Sequence, residues 1–206
     1  MRHVAVALGL VLASGVARAD IDWRAGRVTA RGVGPADLRA PGPDIARAGA
    51  ERVADETWKK ELRGALRGLR IAGGGTLGKQ VDKDPAAAAA LSALVDGAEV
   101  EKRLYSDGSV VVAAWVSLDE AARVAGSPPD AGEGEPLVVD ARKVKLEPAI
   151  GYRVKADGVE KTVAARFVEE VPETFGAKAT GVKGGVVSLD AAAAGSTVIF
   201  IVKAGK

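Results

Sequence analysis

The stretch DIARAGAERVADETWKKELRGALRGLRI, residues 44–71, predicts one long amphipathic helix. Small or apolar side chains recur in it at steps of three and four, a spacing that brings them to one helix face. They are Ala46, Ala50, Val53, Ala54, Trp58, Leu62, Ala65, Leu66 and Leu69. At roughly 1.5 Å per residue such a helix is on the order of 40 Å long, so it must lie across a sheet or a second helix. We therefore interpret this stretch as a scaffold and not as a catalytic centre.

Composition places the chain among globular proteins of one domain or two small ones. It has 206 residues, of which 48% are hydrophobic and 27% charged. Aromatic residues make up 4% of the chain, so the core has to be built from Ala, Val and Leu.

The N-terminus has the layout of a secretory signal peptide. A basic start at Arg2 precedes an apolar run over residues 4–12, and Ala17-Arg18-Ala19 supplies a small-x-small cleavage pattern. The run is too short to cross a membrane as a helix. The sequence predicts cleavage between Ala19 and Asp20 and a periplasmic or secreted protein without a membrane-spanning segment.

The expected cleavage would leave a mature chain without cysteine or histidine. The sequence has no cysteine, and its one histidine, His3, lies in the signal segment. A mature chain without thiol or imidazole disfavours structural zinc and His-dependent catalysis, so we expect no cofactor and no metal.

Removing residues 1–19 also takes away Arg2 and Arg18, which leaves 27 basic against 27 acidic residues. A formal net charge of zero gives no electrostatic case for a nucleic-acid partner.

In the first unit, residues 20–126, the pattern predicts a strand over 26–34 and then the long helix, with Asp44 as its N-cap. Residues 72–75, which include three glycines, are expected to end that helix. Residues 73–79, GGGTLGK, fit the spacing of a phosphate loop, but Gln80 stands where Ser or Thr is required. We expect no helix before Asp84-Pro85, so we interpret the glycines as a helix stop and connector.

Asp84-Pro85 then predicts the start of a short helix over residues 86–95. Strands are predicted over 99–105 and 109–118, joined by the hairpin signal Asp107-Gly108, with one or two helical turns after them. The expected fold class is α+β, with a long helix and a short helix packed on an antiparallel sheet.

A Pro/Gly-rich linker, residues 127–135, leads to a smaller strand-rich unit, residues 136–206. Strands are predicted over residues 136–140, 143–146, 152–156, 159–167, 186–189 and 197–203. Asp157-Gly158 marks a second hairpin. The run TVIFIVK at 197–203 is an aggregation hazard at an exposed edge, so we expect it to be paired and central.

Taken in order, these segments resemble the LPP20 lipoprotein family and the related flagellar proteins FlgP and FlgT of Gram-negative envelopes. The resemblance rests on the strand and long helix, on LSALVDGAEVEKRLYSDGSVVVAAWVSL at 91–118, and on VVDARKVKLEPAIGYRV at 138–154. It implies an envelope structural or assembly role without catalysis, and it transfers no functional residue. The chain lacks the acylated cysteine of the lipoprotein members.

Candidate sites are few. The acidic groups Glu169-Glu170 with Glu173, and Asp82 with Asp84, lack the aromatic platforms that a glycosidase cleft needs. Possible interaction residues are Trp23, which is otherwise a core anchor, and the basic helix end Arg63, Arg67 and Arg70. Basic residues favour a helix C-terminus in any case.

The sequence thus predicts a non-enzymatic envelope protein that acts as a structural, assembly or interaction module. Its expected partners are other envelope proteins or itself, held through sheet edges and the long helix. The alternative is a periplasmic binding domain for a small ligand or cell-wall component, with its site in the groove between the two units. A hydrolase that uses acidic residues is the third and weakest hypothesis.

Overall fold

The computed structural model describes residues 18–130, 135–169, 176–191 and 196–202. In these ranges it has four helices and two sheets, of four and seven strands. The predicted α+β fold class is confirmed. Residues 1–17 of the expected signal peptide lie outside the described residues, as do part of the expected linker and the end of the chain.

The first sheet is antiparallel and carries the helices on one face. Its strands, in spatial order, are β1 (Arg18–Asp22), β2 (Arg27–Gly34), β4 (Val110–Ser117) and β3 (Glu99–Leu104). The helices are α1 (Pro43–Gly68), α2 (Leu77–Val81), α3 (Pro85–Asp96) and α4 (Leu118–Val124). The expected cleavage point between Ala19 and Asp20 falls inside β1, which pairs with β2.

Helix α1 buries the predicted stripe but has different ends. Gly42 is the N-cap and Pro43 opens the helix, so the prediction of Asp44 as N-cap is wrong. Proline suits this first position because its fixed φ is already helical and its missing N–H has no partner to lose. The helix ends at Gly68, before the glycines of residues 73–75, because the chain then turns extended to pair with Thr76 through Arg70.

Helix α1 crosses β2 at unusually close range. A Cβ atom at Gly32 would lie 2.0 Å from the carbonyl oxygen of Ala54, and one at Gly34 would lie 1.7 Å from that of Ala50. Alanine on the helix and glycine on the strand therefore let the two backbones approach directly. This contact seats the long helix on the sheet.

Two short helices follow. The expectation that no helix begins before Asp84 is wrong, since Thr76 caps α2 through its hydroxyl, which accepts from Lys79 N at 3.4 Å. Asp84 caps α3 as predicted, with its carboxylate accepting from Ala86 N at 2.9 Å.

The first hairpin and the helix after it agree with prediction. β3 and β4 pair antiparallel, and Gly108 has the positive φ of 90° that the turn requires. Ser117 and Glu120 then form a reciprocal capping box at the start of α4.

The second sheet is mixed, with the order β7-β6-β10-β9-β5-β11-β8. Its strands are β5 (Leu137–Asp140), β6 (Arg153–Ala156), β7 (Val159–Thr162), β8 (Ala164–Val168), β9 (Ala177–Lys183), β10 (Val186–Leu189) and β11 (Thr197–Ile201). Strand β9 was not predicted, because its sequence AKATGVK lacks the β-branched run of a typical strand. The strand predicted over residues 143–146 is wrong, as that segment is turn and irregular chain.

The second hairpin is confirmed, since Asp157 and Gly158 both have positive φ, at 48° and 80°, between antiparallel β6 and β7. Strand β11 pairs in parallel with β5 on one side and β8 on the other, so the expectation that this run is paired and central is confirmed. Its last predicted residue, Lys203, lies outside the described residues.

Each sheet has its own buried apolar cluster, and the two clusters meet at Trp23. This side chain packs against both, and its ring meets that of Phe167 edge-on at 5.6 Å between centroids. In the described part of the chain, no helix is long and apolar enough to cross a membrane.

Candidate functional site

A cleft of about 530 Å³ lies where the two sheets meet, and we call it the inter-sheet cleft. One wall is the segment after α1, residues 70–76, and the other is formed by Lys145, Glu147, Ala149 and Tyr152. Backbone bonds join the walls, since Ala72 N donates to Ile150 O at 2.8 Å and Ile150 N donates to Arg70 O at 2.9 Å. The cleft lies where the sequence led us to expect a groove between the two units.

The lining of the cleft combines charged, polar and apolar side chains. The guanidinium of Arg70 pairs with the carboxylate of Glu147, and the Tyr152 hydroxyl donates to Glu147 O at 2.9 Å. Burial raises the pKa of Tyr152, while the nearby charge of Arg70 works against that rise. Lys145 and the positive-φ glycines 73–75 complete the lining.

The three arginines of the predicted basic helix end do not share one surface. Arg63 is exposed on α1, whereas Arg67 reaches Asp82 Oδ1 at 2.8 Å. Arg70 lies beyond the end of the helix and pairs with Glu147. Of this set, only Arg70 lines the inter-sheet cleft, and its charge is matched there by Glu147.

Trp23 stands at the joint between the two clusters. It is half-buried, and its carbonyl oxygen accepts from Phe167 N at 3.3 Å. This position suits the role of core anchor. Its role as a partner contact stays a prediction.

A half-buried ion pair also joins the two sheets. Both terminal nitrogens of Arg166, on β8, donate to the Asp119 carboxylate at the start of α4, at 2.9 and 2.8 Å. The side chains are 15% and 27% exposed. Removing one partner leaves the charge of the other unpaired in a partly desolvated site.

We therefore expect Arg166→Met to lower the free energy of unfolding by about 1–3 kcal/mol. The double variant Arg166→Met/Asp119→Leu should lose less than the sum of the two single variants, because neither charge is then left alone. Denaturant titration followed by circular dichroism gives all four stabilities. Strict additivity would contradict a coupled pair.

Among the described residues, Asp140 is the one buried charged side chain. The Arg142 guanidinium donates to both its oxygens, at 2.9 and 2.8 Å, and these hydrogen bonds lower the pKa of Asp140 from 3.8 to about 2. The carboxylate is held as an ion at the end of β5, so we interpret it as structural and not as a proton donor.

This pair predicts a pH effect. A carboxyl whose pKa is lower in the folded state contributes stability above about pH 4, and that contribution is lost as the pH falls toward 2. Asp140→Asn should therefore flatten the fall in stability between pH 4 and pH 2. Arg142→Met should flatten it similarly, since the guanidinium causes the shift. An Asp140→Asn variant with the wild-type slope would contradict this assignment.

Of the acidic residues considered from the sequence, Asp82 and Asp84 have separate structural partners. Asp82 pairs with Arg67 and Asp84 caps α3, while Glu170 and Glu173 lie outside the described residues. In the ranges that the structure describes, no three or more His, Cys, Asp or Glu side chains are placed to hold a metal ion.

The outer edge of the first sheet was not singled out from the sequence. All six residues of β3 are exposed, among them the apolar Val100 and Leu104 at 45% and 52%. The signal was present in EVEKRL at 99–104, since charged residues in most positions indicate an edge strand.

Compared with models of known protein families and with curated protein sequences, the chain matches none of either.

Proposed function

We propose that this chain is an exported, non-enzymatic module of the cell envelope that acts through protein–protein contacts. The order of segments over residues 26–154 supports this role through its resemblance to the LPP20 family and its flagellar relatives. The pattern of residues 1–19 supports export.

The observation that carries the proposal is the β3 edge of the first sheet. Strand β3 pairs with β4 on one side, and nothing in the described part of the chain pairs with its other side. A strand with exposed apolar side chains at such an edge is a template for another strand. An interaction module needs such a surface, and a catalyst does not.

The well-ordered charged pairs also fit a structural role. Asp119 is held by Arg166 and Asp140 by Arg142, each through two hydrogen bonds to one guanidinium. A carboxylate held in this way is a poor general base, because taking up a proton would break the pair.

The test combines export with partner identification. The chain is expressed in a Gram-negative host, the cells are fractionated, and the N-terminal residue of the purified protein is determined. We expect a periplasmic protein that begins at Asp20 and crosslinks to a defined envelope protein or to itself. An unprocessed cytosolic protein, or turnover of a substrate by a purified sample, would overturn the proposal.

The inter-sheet cleft favours a second candidate, a binding domain for a small ligand or cell-wall component. The specific observation is that Lys145 and the Arg70–Glu147 pair line the cleft beside the glycines of residues 73–75. The probes are soluble fragments of muramidase-digested peptidoglycan, and inorganic phosphate as a simple anion. Calorimetric binding that is lost in Arg70→Ala and kept in Arg63→Ala would support this candidate. Equal binding by both variants, or none by the wild type, would refute it.

A further inference from the structure

Strand β3 directs alternate backbone groups away from its own sheet. In the register with β4, Tyr105 N donates to Ser109 O at 3.0 Å, which marks residues 99, 101, 103 and 105 as the positions bonded to β4. Antiparallel pairs alternate between bonded and non-bonded positions. The N–H and C=O groups of Val100, Lys102 and Leu104 therefore point outward, where they are free to pair with another strand.

The side chains of these outward-directed residues lie on the helix side of the sheet. Val100 and Leu104 stand opposite Ala114 and Val110, which are buried under α1. Nevertheless, Val100 and Leu104 are about half exposed, because β3 lies outside the area that the helix covers. A further strand beside β3 would cover both.

The open face of β3 carries opposite charges two residues apart. Arg103 donates to Glu101 Oε1 through Nε at 3.1 Å and through Nη2 at 3.0 Å. The charges of such a strand are complementary to those of a second copy of the strand that runs antiparallel to it. When two copies run antiparallel about a twofold axis at Lys102, Glu101 of each copy faces Arg103 of the other.

We propose that β3 pairs antiparallel with β3 of a second copy of this chain, about a twofold axis at Lys102. The two four-stranded sheets then form one continuous sheet with both α1 helices on the same face. This inference rests on the proposed interaction role and names the partner as a second copy.

Apolar pairing and charge together select this register. In it, Val100 faces Leu104 of the second copy on the helix side, and the opposed backbone groups exchange hydrogen bonds. A shift of the axis to Glu101 sets two glutamates directly opposite each other and places Val100 against Lys102. A shift to Arg103 sets two arginines opposite each other and places Leu104 against Lys102. Like charges in that position destabilise a strand pair.

Lys102 faces its own counterpart at the axis. Each Lys102 Nζ lies 3.9 Å from Asp55 Oδ2 of its own α1, so a carboxylate accompanies each ammonium group. A lysine on an edge strand also opposes unspecific pairing. The Val100–Leu104 and Glu101–Arg103 contacts are therefore what makes pairing specific to this strand.

The test uses the purified, exported chain in analytical ultracentrifugation. We expect a dimer for the wild type, and dissociation constants about tenfold higher or more for Glu101→Arg and for Arg103→Glu, since each sets like charges opposite. An equimolar mixture of these two variants should form a heterodimer, because both pairs between positions 101 and 103 are then of opposite sign. Glu56→Arg, on the exposed side of α1, makes the same charge change away from β3 and should leave the dimer intact.

Circular dichroism and denaturant midpoints establish that each variant is folded. If one single variant fails to fold, the double exchange Glu101→Arg/Arg103→Glu decides, since it restores opposite charges and should dimerise as the wild type does. A monomeric wild type, dimeric single variants, or a mixture that stays monomeric would each overturn self-pairing. A monomer that is still exported and crosslinks to another envelope protein would refute self-pairing alone and leave the proposed function standing.

Discussion

Alanine at both Gly32 and Gly34 should lower the free energy of unfolding by about 3 kcal/mol or more. The Cβ added at Gly32 would lie 2.0 Å from a carbonyl oxygen of α1, and the one added at Gly34 would lie 1.7 Å from another. Neither contact can be relieved by turning a side chain, because the obstructing atoms belong to helix backbone. The helix has to lift off the sheet, which opens space around buried Trp58 and Leu62.

Gly64→Ala is the matched control. Gly64 lies in the same helix, and nothing comes within 4 Å of a Cβ built there. The same substitution should raise stability by about 0.5–1 kcal/mol, since alanine favours a helix. Urea unfolding followed by circular dichroism measures both variants. If the double variant matched the wild type, close backbone contact would not be what seats α1.

The second large effect is expected at Phe200, in β11. This ring is fully buried and lies 5.6 Å from the ring of Phe167 and 6.0 Å from that of Tyr152, between centroids. Phe200→Ala removes a fully buried ring of this aromatic group and leaves a cavity, so we expect a loss of about 3–5 kcal/mol. Phe200→Leu should lose clearly less, because it keeps most of the apolar volume.

Two signals should be followed in this experiment. Circular dichroism reports on both sheets, whereas tryptophan fluorescence reports mainly on the first, where Trp58 and Trp115 lie. Coincident transitions in Phe200→Ala would mean that the two sheets unfold together through the contacts at Trp23 and Arg166. A fluorescence transition left at the wild-type midpoint would mean that the second sheet unfolds alone. A variant as stable as the wild type by both signals would contradict the expected cost of losing the Phe200 ring.

Local patterns were enough to predict turns and a helix cap. The hairpin of each sheet followed from an Asp-Gly pair, and the cap of α3 followed from Asp84-Pro85, because these signals act within a few residues. The end of α1 was predicted incorrectly for the opposite reason. Residues 69–71 are drawn out of the helix by pairing with Thr76 and Ile150, which are more distant in the sequence.

The candidate sites depended still more on distant contacts. Arg67 and Arg70 were grouped by helical spacing, yet each meets a different carboxylate from a later segment. Strand β9 was missed because its place is set by pairing with β5 and β10, while its own residues have little preference for a strand.

By itself, the sequence determined the α+β class, the long helix with its buried face, and the turns, because periodicity and turn chemistry are local properties. Tertiary structure decided where α1 ends, which residues line the inter-sheet cleft and which strand forms the free edge of the first sheet. Those features depend on pairing between segments that are distant in the sequence. They also depend on which backbone N–H and C=O groups this pairing leaves without a partner strand.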